Sequence, residues 1–148
     1  MIVEVQVTIN APITKVWATM TNIENTAGII SGIQRIEVVE RPAGGLVGFK
    51  WRETRMLFGK PATIEKWITE AKENVFYTTR AEDGGFVFLT THLISMGSAG
   101  ITLKGIHQTL PQGFAARLKA LPLVLFKTTI KKAIMQDLND IKSAVEHP

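Results

Sequence analysis

Strand-like segments fill residues 2–109, and a long helical pattern begins only after them, near Gln112. That order restricts the fold more than any other feature of the chain. The strand-like segments are joined by short turn-forming stretches, and short connections between consecutive strands make them antiparallel neighbours. The strands therefore form a meander rather than a βαβ series. A helix that arrives after the whole sheet is left to cover its concave face. The expectation is an α+β fold in which a curved antiparallel sheet of about seven strands wraps around a long C-terminal helix.

The segments read as follows. Val3, Val5, Val7 and Ile9 alternate with Glu4, Gln6 and Thr8, the signature of a half-buried strand. Pro12 suits a first helical turn, and Val16, Trp17 and Met20 give that turn an apolar face. A second short helix is expected over residues 23–30, limited by Gly28 and Gly32. Further strands are expected over 33–40, 47–57, 62–69, 75–81, 86–94 and 101–109. Turn-formers separate them: Pro42 to Gly45, Gly59-Lys60-Pro61, Lys72-Glu73-Asn74, Asp83-Gly84-Gly85 and Gly97 to Gly100. No repeat or linker interrupts the pattern, so residues 1–148 read as one domain. In the terminal helix Phe114, Leu118, Leu121 and Leu125 share one stripe. Leu123, Phe126, Ile130, Ala133, Ile134, Asp137, Leu138, Ile141 and Val145 share another. The stripes exchange around Pro122, which predicts a kink there. The first segment would serve as a movable cover and the second as a fixed plug.

Composition removes several functional classes. The chain has no cysteine, which excludes disulfides and thiolate metal ligands. The net charge of +4 is spread among interleaved acids. The densest basic group, Lys127, Lys131 and Lys132, is followed by Asp137 and Asp140, as on a solvated helix face, so no nucleic-acid partner is expected. The longest apolar run, residues 121–126, is too short to insert across a bilayer. Met1 leads directly into the first alternating strand without a leader pattern, from which a cytoplasmic location is expected. A mean hydropathy of +0.13 suits a chain that needs apolar surface for both a core and a cavity.

The layout of strand, two short helices, six strands and one long helix resembles the helix-grip fold of the START-related superfamily (SRPBCC, or birch-pollen-allergen-like). Within it, the chain is most similar to the polyketide cyclase/dehydrase-like branch. The most specific stretch runs from Gly48 through Trp51, Glu53 and Arg55 to Phe58-Gly59, similar to that branch's glycine-led third strand. Asn10-Ala11-Pro12 with Val16 and Trp17 matches the usual exit into the first helix, and Ala133 to Leu138 resembles the closing helix. These are signatures of a fold, not of a reaction. The resemblance implies a small-molecule cavity in a branch that includes cyclases, lipid carriers and hormone-binding proteins.

Strand register nominates the cavity residues. Lys50, Arg52 and Thr54 need the water-facing side, which turns Phe49, Trp51, Glu53 and Arg55 inward. Glu53 and Arg55 share a face and lie close enough to pair, either to hold a ligand's polar group or as a structural ion pair. Lys104 needs the outer face, so His107 goes inward with Ile101, Leu103 and Gly105. On the preceding strand, Phe88, Thr90 and His92 face inward if Phe86 does, although the opposite set of Val87, Leu89, Thr91 and Leu93 is equally apolar. Tyr77 faces inward with Val75 and Thr79, as a ligand donor or as a core residue with a satisfied hydroxyl. Trp17 reads as helix packing. Trp67 lies on a strand whose faces cannot be separated, since Ile64, Lys66 and Ile68 oppose it. The histidines lack metal-ligand spacing, and no phosphate loop, dinucleotide fingerprint or other cofactor motif occurs.

The function expected first is binding of a small hydrophobic, lipid- or polyketide-like molecule by Trp51, Glu53, Arg55, Tyr77, Phe88, Thr90, His92 and His107. The alternative is a cyclase, aromatase or dehydratase in which a histidine or the Glu53–Arg55 pair moves a proton. A third reading is a protein-interaction module, hinted at by the two apolar faces of residues 86–94, which also suit a homodimer contact.

Overall fold

The computed structural model describes residues 1–120 and 125–148. The chain begins with β1 (Ile2–Ile9), α1 (Ile13–Met20) and a short 3-10 helix (Ile23–Gly28). Six strands follow: β2 (Ile33–Glu40), β3 (Lys50–Leu57), β4 (Lys60–Lys72), β5 (Phe76–Asp83), β6 (Phe86–Gly97) and β7 (Gly100–Pro111). Two helices close it, α2 (Gly113–Ala120) and α3 (Lys127–Glu146). The expected kink at Pro122 lies outside the described residues. All seven strands form one antiparallel sheet in the order β1-β7-β6-β5-β4-β3-β2. β1 thus returns to pair with the last strand, while β2 ends the opposite edge.

Several predicted boundaries move. The β3–β4 hairpin turns on Phe58 and Gly59, both at positive φ (51° and 79°), because Leu57 pairs directly with Lys60. This is the two-residue connection whose twist matches the strands. Pro61 therefore lies within β4 rather than in the turn. Gly84 and Gly85, at φ 57° and 83°, make the same kind of connection between Asp83 and Phe86. β4 runs three residues beyond its predicted end at Thr69, to Lys72, with a register shift between Ile68 and Glu70. An irregularity of this kind bends a strand and increases its twist, which curves the sheet around the helix.

The core lies between the concave face of the sheet and the helices. Val5, Ile9, Ile101 and Leu103 of the paired strands β1 and β7 pack with Leu138, Ile141 and Val145 of α3 and with Val16 and Met20 of α1. α3 approaches the sheet closely at Gly105, where a Cβ would lie 3.2 Å from Ile134 Cγ2 and 3.6 Å from Leu138. Polar ties fix the C-terminal half of α3. Ser31 donates to Asp140 Oδ2 from its backbone N–H (2.9 Å) and its hydroxyl (2.7 Å). Lys142 donates to the Thr8 carbonyl (2.6 Å), and the Asn10 amide donates to Glu146 Oε2 (2.8 Å). The plug expected from the sequence is therefore α3.

Candidate ligand-binding site

Between α3 and the strands from β3 to β7 lies a cavity of about 420 Å³. Its size falls within the range of small-molecule sites. Trp51, Glu53, Arg55, Tyr77, Phe88, Thr90, His92 and His107, the eight residues nominated from strand register, all line it. Met20, Ile30 and Ile33 close one side, and Ile130, Ile134 and Asp137 of α3 form the roof. The ambiguity on β6 resolves as expected: Phe88, Thr90 and His92 face the cavity, while Leu89 and Thr91 line a hollow on the opposite face of the sheet.

The sequence pattern missed three charged members of this wall, Lys66, Asp83 and Asp137, and the first and last of them belong to a continuous ion-pair chain. Glu53 Oε2 accepts from Arg55 Nε at 2.7 Å and from Lys66 Nζ at 2.9 Å, and Oε1 accepts from Trp51 Nε1 at 3.4 Å. The other edge of the Arg55 guanidinium grips Asp137 bidentately, at 3.1 and 2.8 Å. Lys66, Glu53, Arg55 and Asp137 thus alternate in sign from β4 through β3 to α3. Gly32 makes room for this grip, since a Cβ there would lie 3.1 Å from Arg55 Nη1. Lys66 was hidden because Trp67 opposes Ile64 and Ile68, so neither face of β4 is marked as the polar one. Trp67 takes the outer face, where Lys50 Nζ sits 5.4 Å from its ring centroid. Asp137 did leave a signal, as the lone acid in the apolar stripe of the last helix.

The two carboxylates that share Arg55 shift in opposite directions. Burial alone would raise Glu53, but the charges of Lys66 and Arg55 outweigh it and hold the carboxyl at about 2. Burial also raises Asp137, and there it prevails over the hydrogen bonds and charge of Arg55. Among the described residues Asp137 has no second cation in contact, and it feels the negative charge of Glu53. Burial opposes the charged Arg55, yet its bonds to Asp137 and Glu53 raise its pKa further.

The histidines sit on the adjoining wall. His107 pairs across the ladder with Thr90, whose Oγ1 lies 2.9 Å from Nδ1, and Thr109 Oγ1 lies 3.5 Å from Nε2. Its ring stacks on Phe88 at 6.1 Å. His92 stacks on Tyr77, its cross-strand neighbour, at 5.0 Å and 25°. Its Nδ1 is buried with no hydrogen-bond partner among the described residues. Burial, reinforced by the charge of Lys66, lowers each imidazole to about 4, so both are neutral at pH 7. The accessible surface His92 retains despite lying deep in the fold is cavity surface. Tyr77 donates its hydroxyl to the Met20 carbonyl at 3.1 Å, the satisfied-core arrangement, and burial raises its pKa. Trp17 packs edge-on against Tyr77 at 6.2 Å, as expected of a packing residue.

Residues 1–146 match the family model described as "Polyketide cyclase / dehydrase and lipid transport". The chain belongs to that family. No curated protein matches the sequence significantly. Among solved structures, a START superfamily protein from Mycobacterium smegmatis superposes with a TM-score of 0.80 at 14% identity, covering 98% of this chain and 97% of its own. The Zhui aromatase/cyclase from Streptomyces sp. R1128 gives 0.76 at 17% identity, over 99% and 93%. Ara h 8.0201 gives 0.76 at 20% identity, over 100% and 99%. At these identities the likeness carries the fold, which is the helix-grip fold of the START/birch-pollen-allergen superfamily. Among the described residues no helix is long and apolar enough to cross a membrane, and no three His, Asp or Glu side chains gather as metal ligands.

Proposed function

We propose that the protein binds a small hydrophobic molecule in the cavity beneath α3, with Trp51 and Phe88 as apolar walls and the polar groups of Glu53, Arg55, Lys66, Thr90, His92 and His107 orienting it. The observation that carries this reading is a cavity of about 420 Å³, lined mainly by apolar side chains, in a domain small enough to have packed that space solid. Apolar burial supplies affinity at roughly 25 cal/mol per Å² before ordering costs. The family description, which joins lipid transport to cyclisation, is consistent with such a ligand.

The enzymatic alternative has one observation in its favour: two neutral imidazoles face the same space. Their pKa values near 4 make them weak bases at neutral pH, and the buried Glu53 carboxylate is weaker still. Binding is therefore the better-supported role. The apolar outer face of β6 needs no partner to explain it, because Val87 is buried and Leu89 and Leu93 are half-buried within this one chain. Native mass spectrometry of freshly purified protein, followed by titration with the uncharged fluorescent probe N-phenyl-1-naphthylamine, tests the proposal. A co-purified organic molecule or saturable probe binding at one site supports it, and no binding of either kind refutes it.

A further inference from the structure

We propose that the cavity selects molecules whose buried polar end is an uncharged oxygen, a hydroxyl or a ketone, and rejects carboxylates, because His92 brings an unpartnered imidazole to its wall while both cavity cations are already held by carboxylates. The inference rests on the binding role proposed above and narrows its ligand class.

The charges come first. Five charged side chains line the cavity: Arg55 and Lys66 against Glu53, Asp83 and Asp137. Lys66 lies 2.9 Å from Glu53, and both edges of the Arg55 guanidinium are engaged, by Glu53 at 2.7 Å and by Asp137 at 2.8 and 3.1 Å. A carboxylate ligand meets no spare positive charge. To gain one it must displace Glu53 or Asp137 and leave that group buried without its partner, which is more costly than leaving the pair intact.

The imidazole supplies what an uncharged oxygen needs. The His92 ring is held by its stack on Tyr77, whose own hydroxyl is committed to the Met20 carbonyl and is not available to it. Nδ1 is sealed from any probe and has no partner among the described residues. A proton on Nδ1 would be a buried N–H without an acceptor, a rarer situation than an unused lone pair. The neutral ring therefore carries its proton on Nε2, the nitrogen left to face the cavity, as a donor to a ligand oxygen. His107 does not compete for this role, because both of its nitrogens have threonine partners. Since His92 stays uncharged at pH 7, it supplies no cation for a carboxylate either.

The test is calorimetric titration at pH 7 with 2-naphthol and 2-naphthoate, which share one ring system and differ in the polar end. The wild-type protein is expected to bind 2-naphthol at least about tenfold more tightly. His92→Phe keeps a ring against Tyr77 and removes both nitrogens, and should cut that preference to about twofold or less. Its thermal unfolding verifies that it folds. Asp137→Asn releases one edge of Arg55 and should tighten 2-naphthoate binding by about tenfold. Equal or tighter binding of 2-naphthoate by the wild-type protein overturns the inference while leaving the binding role intact. An unchanged preference in folded His92→Phe overturns it as well. Failure of both probes to bind removes the binding role and this inference with it.

Discussion

Replacing Glu53 by glutamine removes the central anion of the ion-pair chain at nearly constant shape. The Glu53 side chain is 5% exposed, so solvent screening of its pairs is slight. Its displacement from 4.5 to about 2 corresponds to about 3 kcal/mol of folding free energy. The folded pKa lies below the unfolded one, so as pH falls the unfolded chain takes up the proton first. The contribution is therefore complete above about pH 4.5 and is lost as pH falls toward 2. Urea unfolding of both proteins at a series of pH values isolates the effect, because other titrating groups largely cancel in the difference. At pH 7 Glu53→Gln should be about 3 kcal/mol less stable, equivalent to a Tm lower by roughly 6–12 °C for a chain of this length. The gap should close as pH approaches 2. A gap under about 1 kcal/mol, or one that does not change with pH, would show that Lys66 and Arg55 gain nothing from this carboxylate.

Other perturbations probe separate parts of the same wall. Because the His92 pKa is depressed from 6.5 to about 4, wild-type stability falls as pH drops through that window, and His92→Phe should lose less stability between pH 7 and 4 in parallel urea titrations. Asp137→Asn should cost about 2 kcal/mol in the same measurement, since it weakens the one ion pair that ties α3 to β3 among the described residues. Ala81, buried and lining the cavity, offers a way to fill it: Ala81→Leu should reduce the affinity for N-phenyl-1-naphthylamine at least about tenfold with an unchanged far-UV circular dichroism spectrum.

Much of this architecture is legible in the chain itself where one face of a strand is clearly polar. Lys104 settles the parity of β7 and thereby the inward position of His107, and Lys50 with Arg52 does the same for Glu53 and Arg55. Parity fails on β4, where Ile64 and Ile68 on one side and Trp67 on the other are all apolar, so Lys66 gave no hint that it faces inward. Its position depends on Glu53, which is a neighbour through pairing across strands and not through local spacing. Asp137 was visible as an oddity in its stripe, but its partner lies 82 residues away, beyond any local periodicity. The turn at Phe58 was misplaced because a phenylalanine at positive φ is a rare choice that propensity argues against.

Gly105 lies opposite His92 in the β6–β7 ladder and directly under Ile134 and Leu138. The missing side chain lets the last helix settle onto the sheet beside the imidazole. Position 105 consequently works as a shim: a larger residue there presses on Ile134 and Leu138 and sets the spacing between α3 and the sheet next to the Arg55–Asp137 pair. Under the binding role proposed above, a single codon at this position would tune the size of molecule the chamber takes.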